Sequence, residues 1–326
     1  MKRASLFVLP AAAICLSVAP ALVPARAIVI NGATAANAAA PADDPGWANV
    51  GRIGSSSGVY LGDITVPGHG TGYWVLTAAH VGAGSIVLNG TSYSPVAGSA
   101  FQLRNGDNSL TDLELFQLSA NPSLPTLTLA ASAPTVGGTA RLIGYGYTGA
   151  VAPTYWDLNA PNFPSSPPAW TWTQTASPSG LWAAGFDYAS GSRGTERWGD
   201  NQVQIASQVF FDGAYSVQAF GTYAQPVSGS AQLAPGDSGG ATFVKVGSQW
   251  ELAGINLAID SFSGQPSSTA TFELVRDTPS DVYAGNGSYM ADLSAYLTQI
   301  PEPGTTGVVA GGLCLFGAVA SRWRKA

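Results

Sequence analysis

Cysteine is nearly absent from this chain: Cys15 and Cys314 are the only two in 326 residues. Both lie in apolar terminal stretches, so the body between them has no disulfide and its core must hold unaided. Histidine occurs only at His69 and His80. With no cysteine in the body, that leaves too few ligands for a metal hydrolase, and neither metal nor cofactor is expected. Charged residues make up 10% of the sequence. Between Ile28 and Ile300 no helical period of useful length appears before the last stretch, which argues against a helical fold.

What is abundant is Gly, at 40 residues, and Pro, at 22. Short apolar or alternating runs are set among Ser, Thr and Ala, the pattern of many strands and turns. Strand candidates include Val59 to Leu61, Tyr73 to Leu76, Ser85 to Leu88, Leu113 to Leu118, Ala140 to Tyr145, Val203 to Phe211, Ala241 to Val246 and Trp250 to Ile255. The fold class is therefore all-β. Met290, Leu293, Tyr296 and Leu297 recur at helical spacing, which predicts a short C-terminal helix. The Pro-rich stretch Ser119 to Pro134 has the composition of a connection between two halves, 28–124 and 125–300. From Ala150 to Gly194 the chain reads as a long loop that Trp156, Trp170, Trp172 and Trp182 pin to the body.

The first 27 residues have basic Lys2 and Arg3, an apolar stretch from Leu6 to Leu22 and the small-x-small ending Ala25-Arg26-Ala27. This predicts a secretory signal peptide cleaved after Ala27 by signal peptidase; Pro10 and Pro20 count against a membrane span. At the other end, Thr305 to Ser321 is apolar and is followed by Arg322-Trp323-Arg324-Lys325. That stretch is near the lower length for a spanning helix, with a basic flank on its cytoplasmic side. Without the two terminal segments, seven basic residues face 18 acidic ones, a net charge of −11. Nucleic acid and anionic lipid are unsuited as partners of such a body.

The stretch Gly236-Asp237-Ser238-Gly239-Gly240 fits a serine nucleophile on a tight turn. It also fits an ordinary glycine turn, and by pattern alone two unrelated hydrolase architectures. A serine hydroxyl needs a general base, usually histidine. Both histidines precede Ser238, whereas an α/β-hydrolase places its histidine after the serine, so that architecture is excluded by order. His80 ends the apolar strand Trp74 to Ala79 and is the candidate base, while His69 lies in a polar glycine loop and reads as a surface residue. Asp112 opens another apolar strand and is the carboxylate most suited to hold an imidazole in one tautomer.

The motifs WVLTAAHV, TDLELFQL and APGDSGG, in that order, resemble the histidine, aspartate and serine motifs of the trypsin/chymotrypsin family. LIGYGYTG is similar to the family's second-barrel glycine strand. The resemblance implies two six-stranded antiparallel β-barrels, with His80 and Asp112 from the first and Ser238 from the second. It implies serine endopeptidase activity on a polypeptide substrate, with the N–H groups of Gly236 and Ser238 as the oxyanion hole. It also implies that a new N-terminus at Ile28, in the sequence Ile28-Val29-Ile30-Asn31-Gly32, pairs its ammonium with Asp237.

Several positions depart from the family. Val81 stands where a cysteine is usual, and Gln232 stands where basic-residue specificity requires an aspartate. The substrate strand falls near Leu257-Ala258-Ile259, where Ile259 narrows the primary pocket, so small or neutral side chains are expected there. Pro301-Glu302-Pro303, with the apolar segment and basic end that follow, resembles the PEP-CTERM sorting signal of Gram-negative bacteria. It implies a segment 301–326 handled by an exosortase, with passage through the inner membrane to the cell exterior. The competing function is a surface or matrix binding protein on a protease fold without activity.

Overall fold

The structure, a computed structural model, describes residues 28–32, 35–161, 163, 170–276 and 282–300. The expected signal peptide and sorting segment lie outside the described residues. Among those residues no helix is long and apolar enough to cross a membrane.

A two-residue strand, β1 (Val29–Ile30), precedes a seven-stranded antiparallel sheet. That sheet is built from β2 (Val50–Ile53), β3 (Ser56–Val66), β4 (Gly70–Thr77), β5 (Ile86–Leu88), β6 (Thr91–Tyr93), β7 (Phe101–Arg104) and β8 (Leu110–Leu118). Its spatial order is β6-β5-β2-β3-β4-β8-β7. The next strands are β9 (Thr139–Gly144), β10 (Thr154–Asn159), β11 (Thr171–Thr175), β12 (Leu181–Asp187), β13 (Arg197–Gln202) and β14 (Ile205–Phe211). They are followed by β15 (Ser216–Tyr223), β16 (Ala231–Gln232), β17 (Ala241–Val246), β18 (Gln249–Ile259), β19 (Thr269–Arg276), β20 (Val282–Ala284) and β21 (Gly287–Asp292). A second seven-stranded sheet has the order β13-β9-β17-β18-β21-β15-β14.

The all-β expectation is met, with antiparallel ladders throughout both large sheets. Each sheet carries seven strands rather than six. The interior face of β4 shows why these residues make strands: Trp74 and Leu76 turn to one cluster, Val75 to another, and all three are buried. One apolar core joins both sheets, with Val59, Leu76 and Leu115 from the first meeting Ile143, Phe243 and Ile255 from the second. The Pro-rich connection crosses both, since Leu127 N–H donates to Leu61 and Ala130 N–H to Leu252. The two sheets are thereby fixed relative to each other, with a cleft where their loops meet.

Two expectations require correction. The stretch from Ala150 to Gly194 is not one pinned loop: it contributes β10, β11 and β12 to a five-stranded sheet ordered β11-β10-β12-β19-β20. The tryptophans do pack inward, Trp156 and Trp170 being buried with Leu158, Ala183 and Leu274. Along β10 the buried residues Thr154, Trp156 and Leu158 alternate with the period of a strand, hidden in the sequence by the surrounding Pro and Ser. The short terminal helix is a single 3-10 turn, Leu293–Tyr296, and Met290 belongs to β21 instead. Asp292 ends that strand by accepting from Ser294 N–H at 3.1 Å, which starts the turn.

Candidate active site

β4 delivers buried Thr77 and Ala78 to a tight turn closed by Val81 N–H on the Ala78 carbonyl at 3.0 Å, and His80 sits in that turn. β8 pairs with β4 through Thr77 and Glu114, so continuing the antiparallel register sets Asp112 opposite Ala79. The carboxylate is then used twice. Its Oδ1 accepts His80 N–H at 2.9 Å, and its Oδ2 lies 2.6 Å from His80 Nδ1. Asp112 is 1% exposed while the imidazole is 44% exposed. The ring is therefore held from behind by a buried anion, and Nε2 is left for chemistry. The hydrogen bond to Asp112 raises the His80 pKa above its usual 6.5, burial works against this, and the charges of Asp112 and Asp212 add to the rise.

Ser238 sits, half-buried, on a turn supported from several parts of the chain. Ser57 N–H donates to the Ser238 carbonyl at 2.9 Å, and Ser57 Oγ donates to the Gly236 carbonyl at 3.1 Å. Gly239 N–H donates to Asn256 at 2.8 Å. Gly239 has φ +81°, and a Cβ there would fall 2.1 Å from the Ser57 carbonyl oxygen and 2.2 Å from Thr77 Oγ1. Only glycine lets this turn lie against the end of β4, which brings the Ser238 turn of one sheet up to the strand of the other that leads to His80. Among the described residues, neither Gly236 N–H nor Ser238 N–H has an acceptor. Two free donors beside a serine hydroxyl can hold a developing oxyanion. Ser238 Oγ donates to the Leu257 carbonyl at 3.3 Å rather than to His80, a long contact that one χ1 rotation releases.

Asp237 is 1% exposed and faces inward. It accepts Gly146 N–H at 2.7 Å and Ala234 N–H at 2.8 Å. The backbone N–H of Ile28 is a further donor to the same carboxylate. Pairing of β1 with β16, Val29 opposite Gln232, brings Ile28 there, and its side chain is 1% exposed. Burial raises the Asp237 pKa to about 7, against the lowering effect of these amides and of Arg193.

Two hollows flank Leu257 and Ala258. One, of about 250 Å³, is lined by Leu233, Pro235, Ser238 and Ile259 among others. The other, of about 260 Å³, is lined by His80, Asp112, Asp212 and Tyr215 together with Leu257 and Ala258. Ile259 lines the first of these hollows, beside Ser238. Gln232 does not line the hollow: it is fully buried, and its Nε2 donates to Asn286 Oδ1 at 3.3 Å. The β1–β16 pairing turns that side chain into the body, which is why the motif offset misplaced it. His69 is exposed and stacks on Phe101 with ring centroids 3.6 Å apart, outside the site.

Sequence reasoning missed Ser57, Asn256, Asp212 and Arg193. Ser57 sits in Ser55-Ser56-Ser57-Gly58 with no motif to mark it. Arg193 did carry a signal, being one of only seven basic residues between Ile28 and Ile300.

A serine on a glycine turn whose neighbouring N–H groups have no acceptor among the described residues, and an imidazole backed by a buried carboxylate, form an arrangement with which acyl transfer through serine is possible. No protein-family model matches the chain, and no curated protein matches it. Solved structures do align, and they are proteases. The Rv3671c protease from M. tuberculosis in its active form is 13% identical over 92% of this chain and 96% of its own, with a TM-score of 0.41. Neuropsin, a serine protease expressed in the limbic system of mouse brain, is 15% identical over 81% of this chain and 96% of its own, TM-score 0.40. The HtrA-type protease AlgW, solved with a decapeptide, is 19% identical over 75% of this chain and 50% of its own, TM-score 0.36. At such distances the site's own geometry has to carry any functional reading.

Proposed function

We propose that this protein is a serine endopeptidase in which Ser238 attacks the scissile carbonyl, His80 takes and returns the proton, and Asp112 orients His80. The observation that carries the reading is the 2.6 Å contact between His80 Nδ1 and the buried Asp112 carboxylate. A buried anion there has one evident use, to stabilise the imidazolium formed when Nε2 accepts a proton. The tetrahedral oxygen is received by the N–H groups of Gly236 and Ser238. The acyl half of the substrate lies along Leu257-Ala258-Ile259, where the lining is apolar and favours small or neutral side chains.

Export and maturation belong to the same proposal. Signal removal after Ala27 creates an ammonium at Ile28, whose amide already donates to Asp237, and the ion pair orders the oxyanion turn. Segment 301–326 serves as a sorting signal handled by an exosortase, which delivers the enzyme to the exterior of a Gram-negative cell. The alternative, a binding protein without activity, draws on the Ser238 hydroxyl bonding Leu257 instead of His80. A fluorophosphonate decides between them: wild type becomes labelled and Ser238→Ala does not. An unlabelled, folded wild type would refute the endopeptidase.

A further inference from the structure

Arg193 lies against the oxyanion turn without any part in the chemistry described so far. A Cβ on Gly236 would stand 2.9 Å from both its Nε and its Nη2. Its guanidinium rests over Tyr147, 4.9 Å from the ring centroid, and Tyr147 N–H in turn donates to the Pro235 carbonyl at 3.1 Å. Of the five N–H donors of a guanidinium, the described residues satisfy one, from Nη2 to the Ser55 carbonyl at 2.8 Å. Nε is buried with no acceptor. The side chain as a whole is half-buried and so remains partly open to solvent.

Position gives this group its meaning. The two hollows beside Leu257 and Ala258 take the acyl half of a substrate, and Arg193 lines neither. Its contacts are with Gly236, Tyr147 and the turn between β2 and β3, and if the acyl half fills the two hollows this is the side left for the leaving segment. Arg52 joins it there: Arg52 Nη1 donates to the Gly54 carbonyl at 2.8 Å, one residue before the carbonyl that Arg193 holds. Two of seven basic residues in a body of net charge −11 thus clamp consecutive carbonyls of one turn. On the acyl side Asp112 and Asp212 line one hollow and Asp237 the other. Carboxylates thus gather on one side of Ser238 and two guanidiniums on the other.

Resting on the endopeptidase reading, we propose that Arg193 is the leaving-side specificity residue and binds a carboxylate on the first or second residue beyond the scissile bond. Bond lengths and hydrogen-bond distances place its guanidinium no more than about 10 Å from the oxyanion held at Gly236 N–H. An extended chain covers about 6–7 Å of that in two residues, and an Asp or Glu side chain spans the rest. A planar fork of charged donors suits a carboxylate over any neutral group. The carboxylate comes either from an Asp or Glu side chain or from the terminus of a short leaving segment.

The test uses quenched peptides built on a sequence the wild-type enzyme cleaves. They differ by Glu or Gln at the first or second leaving residue, or end there in a free carboxylate or a carboxamide. Wild type is expected to favour the carboxylate member of a pair by on the order of tenfold or more in kcat/KM. In Arg193→Gln that ratio falls toward one. A preference in either arm supports the inference, and the arm names the source. A ratio near one in wild type, which needs no variant to fold, overturns it. So does a ratio that survives in Arg193→Gln, or an equal loss on every substrate, which would assign Arg193 to the oxyanion or to Asp237. Wild type that a fluorophosphonate labels but that shows no carboxylate preference defeats this inference alone; wild type that stays unlabelled defeats the endopeptidase and the inference together.

Discussion

Compare a protein that begins at Ile28 with one that keeps Ala27, both carrying Ser238→Ala so that neither digests itself. In the longer chain the Asp237 carboxyl has amide donors, and among the described residues the cation that acts on it is Arg193, only through space; burial raises it from 3.8 to about 7. About three pH units at 1.36 kcal/mol each put the cost of holding that group ionised near 4 kcal/mol, an upper figure. Between pH 3.8 and 7 the folded longer chain keeps a proton that its unfolded form has released, so its stability falls through that window and then levels. With an ammonium in place of the Ile28 amide, Asp237 stays ionised in the folded state through the same window and the fall disappears. The stability difference, read by guanidinium denaturation, should therefore grow by up to about 4 kcal/mol from pH 4 to pH 7.5. Above about pH 8 it declines again, because the unfolded α-amine loses its proton first. A difference that does not change with pH would refute the reasoning. So would a longer chain, with Ser238 restored, that a fluorophosphonate labels as fast as the shorter one.

Asp112→Asn keeps the shape of the His80 contact but favours the wrong tautomer, and kcat should drop on the order of a thousandfold or more while the circular dichroism spectrum stays the same. In wild type, ester hydrolysis rises with pH through a midpoint above 6.5, since the raised His80 pKa must be passed before Nε2 can accept a proton; a midpoint below 6.5 in a pH–rate profile would contradict the contact with Asp112. Gly239→Ala drives a methyl into the Ser57 carbonyl and Thr77 Oγ1, so the midpoint of denaturation should fall by the equivalent of several kcal/mol. Glu196, whose Oε1 is buried without a partner, has its pKa raised to about 9 by burial. Glu196→Gln should gain stability over wild type progressively from pH 4.5 to pH 9, by a few kcal/mol, and equal pH slopes for the two proteins would count against this.

The strands that were legible in sequence share one property: their periodic residues pack on the nearest layer. Ala241–Val246 was readable to the residue, because a run of buried side chains between glycine and glycine turns leaves few other options. The five-stranded sheet was not, since β12 finds its partner β19 about 90 residues later, and no local pattern announces such a pairing. Met290 fell at helical spacing from Leu293 only by coincidence with the end of a strand. At the site, the contact of His80 with Asp112 was legible because few residue types can hold an imidazole in that way. Ser57 and Arg193 act through backbone carbonyls, which many side chains could reach, so only the folded chain singles them out. Gln232 went wrong for a related reason: an offset from Ser238 fixes where its backbone lies, and the partner strand decides where its side chain goes.

The turn carrying Ser238 takes its support from residues 28, 57, 146 and 256. A ribosome makes His80 and Asp112 early and reaches Asn256 only after more than three-quarters of the chain has emerged. A product that stops short of Asn256 lacks one of those supports. Assembly order thus sets when the turn can form: the last of its supports arrives when little more than a fifth of the chain remains to be made.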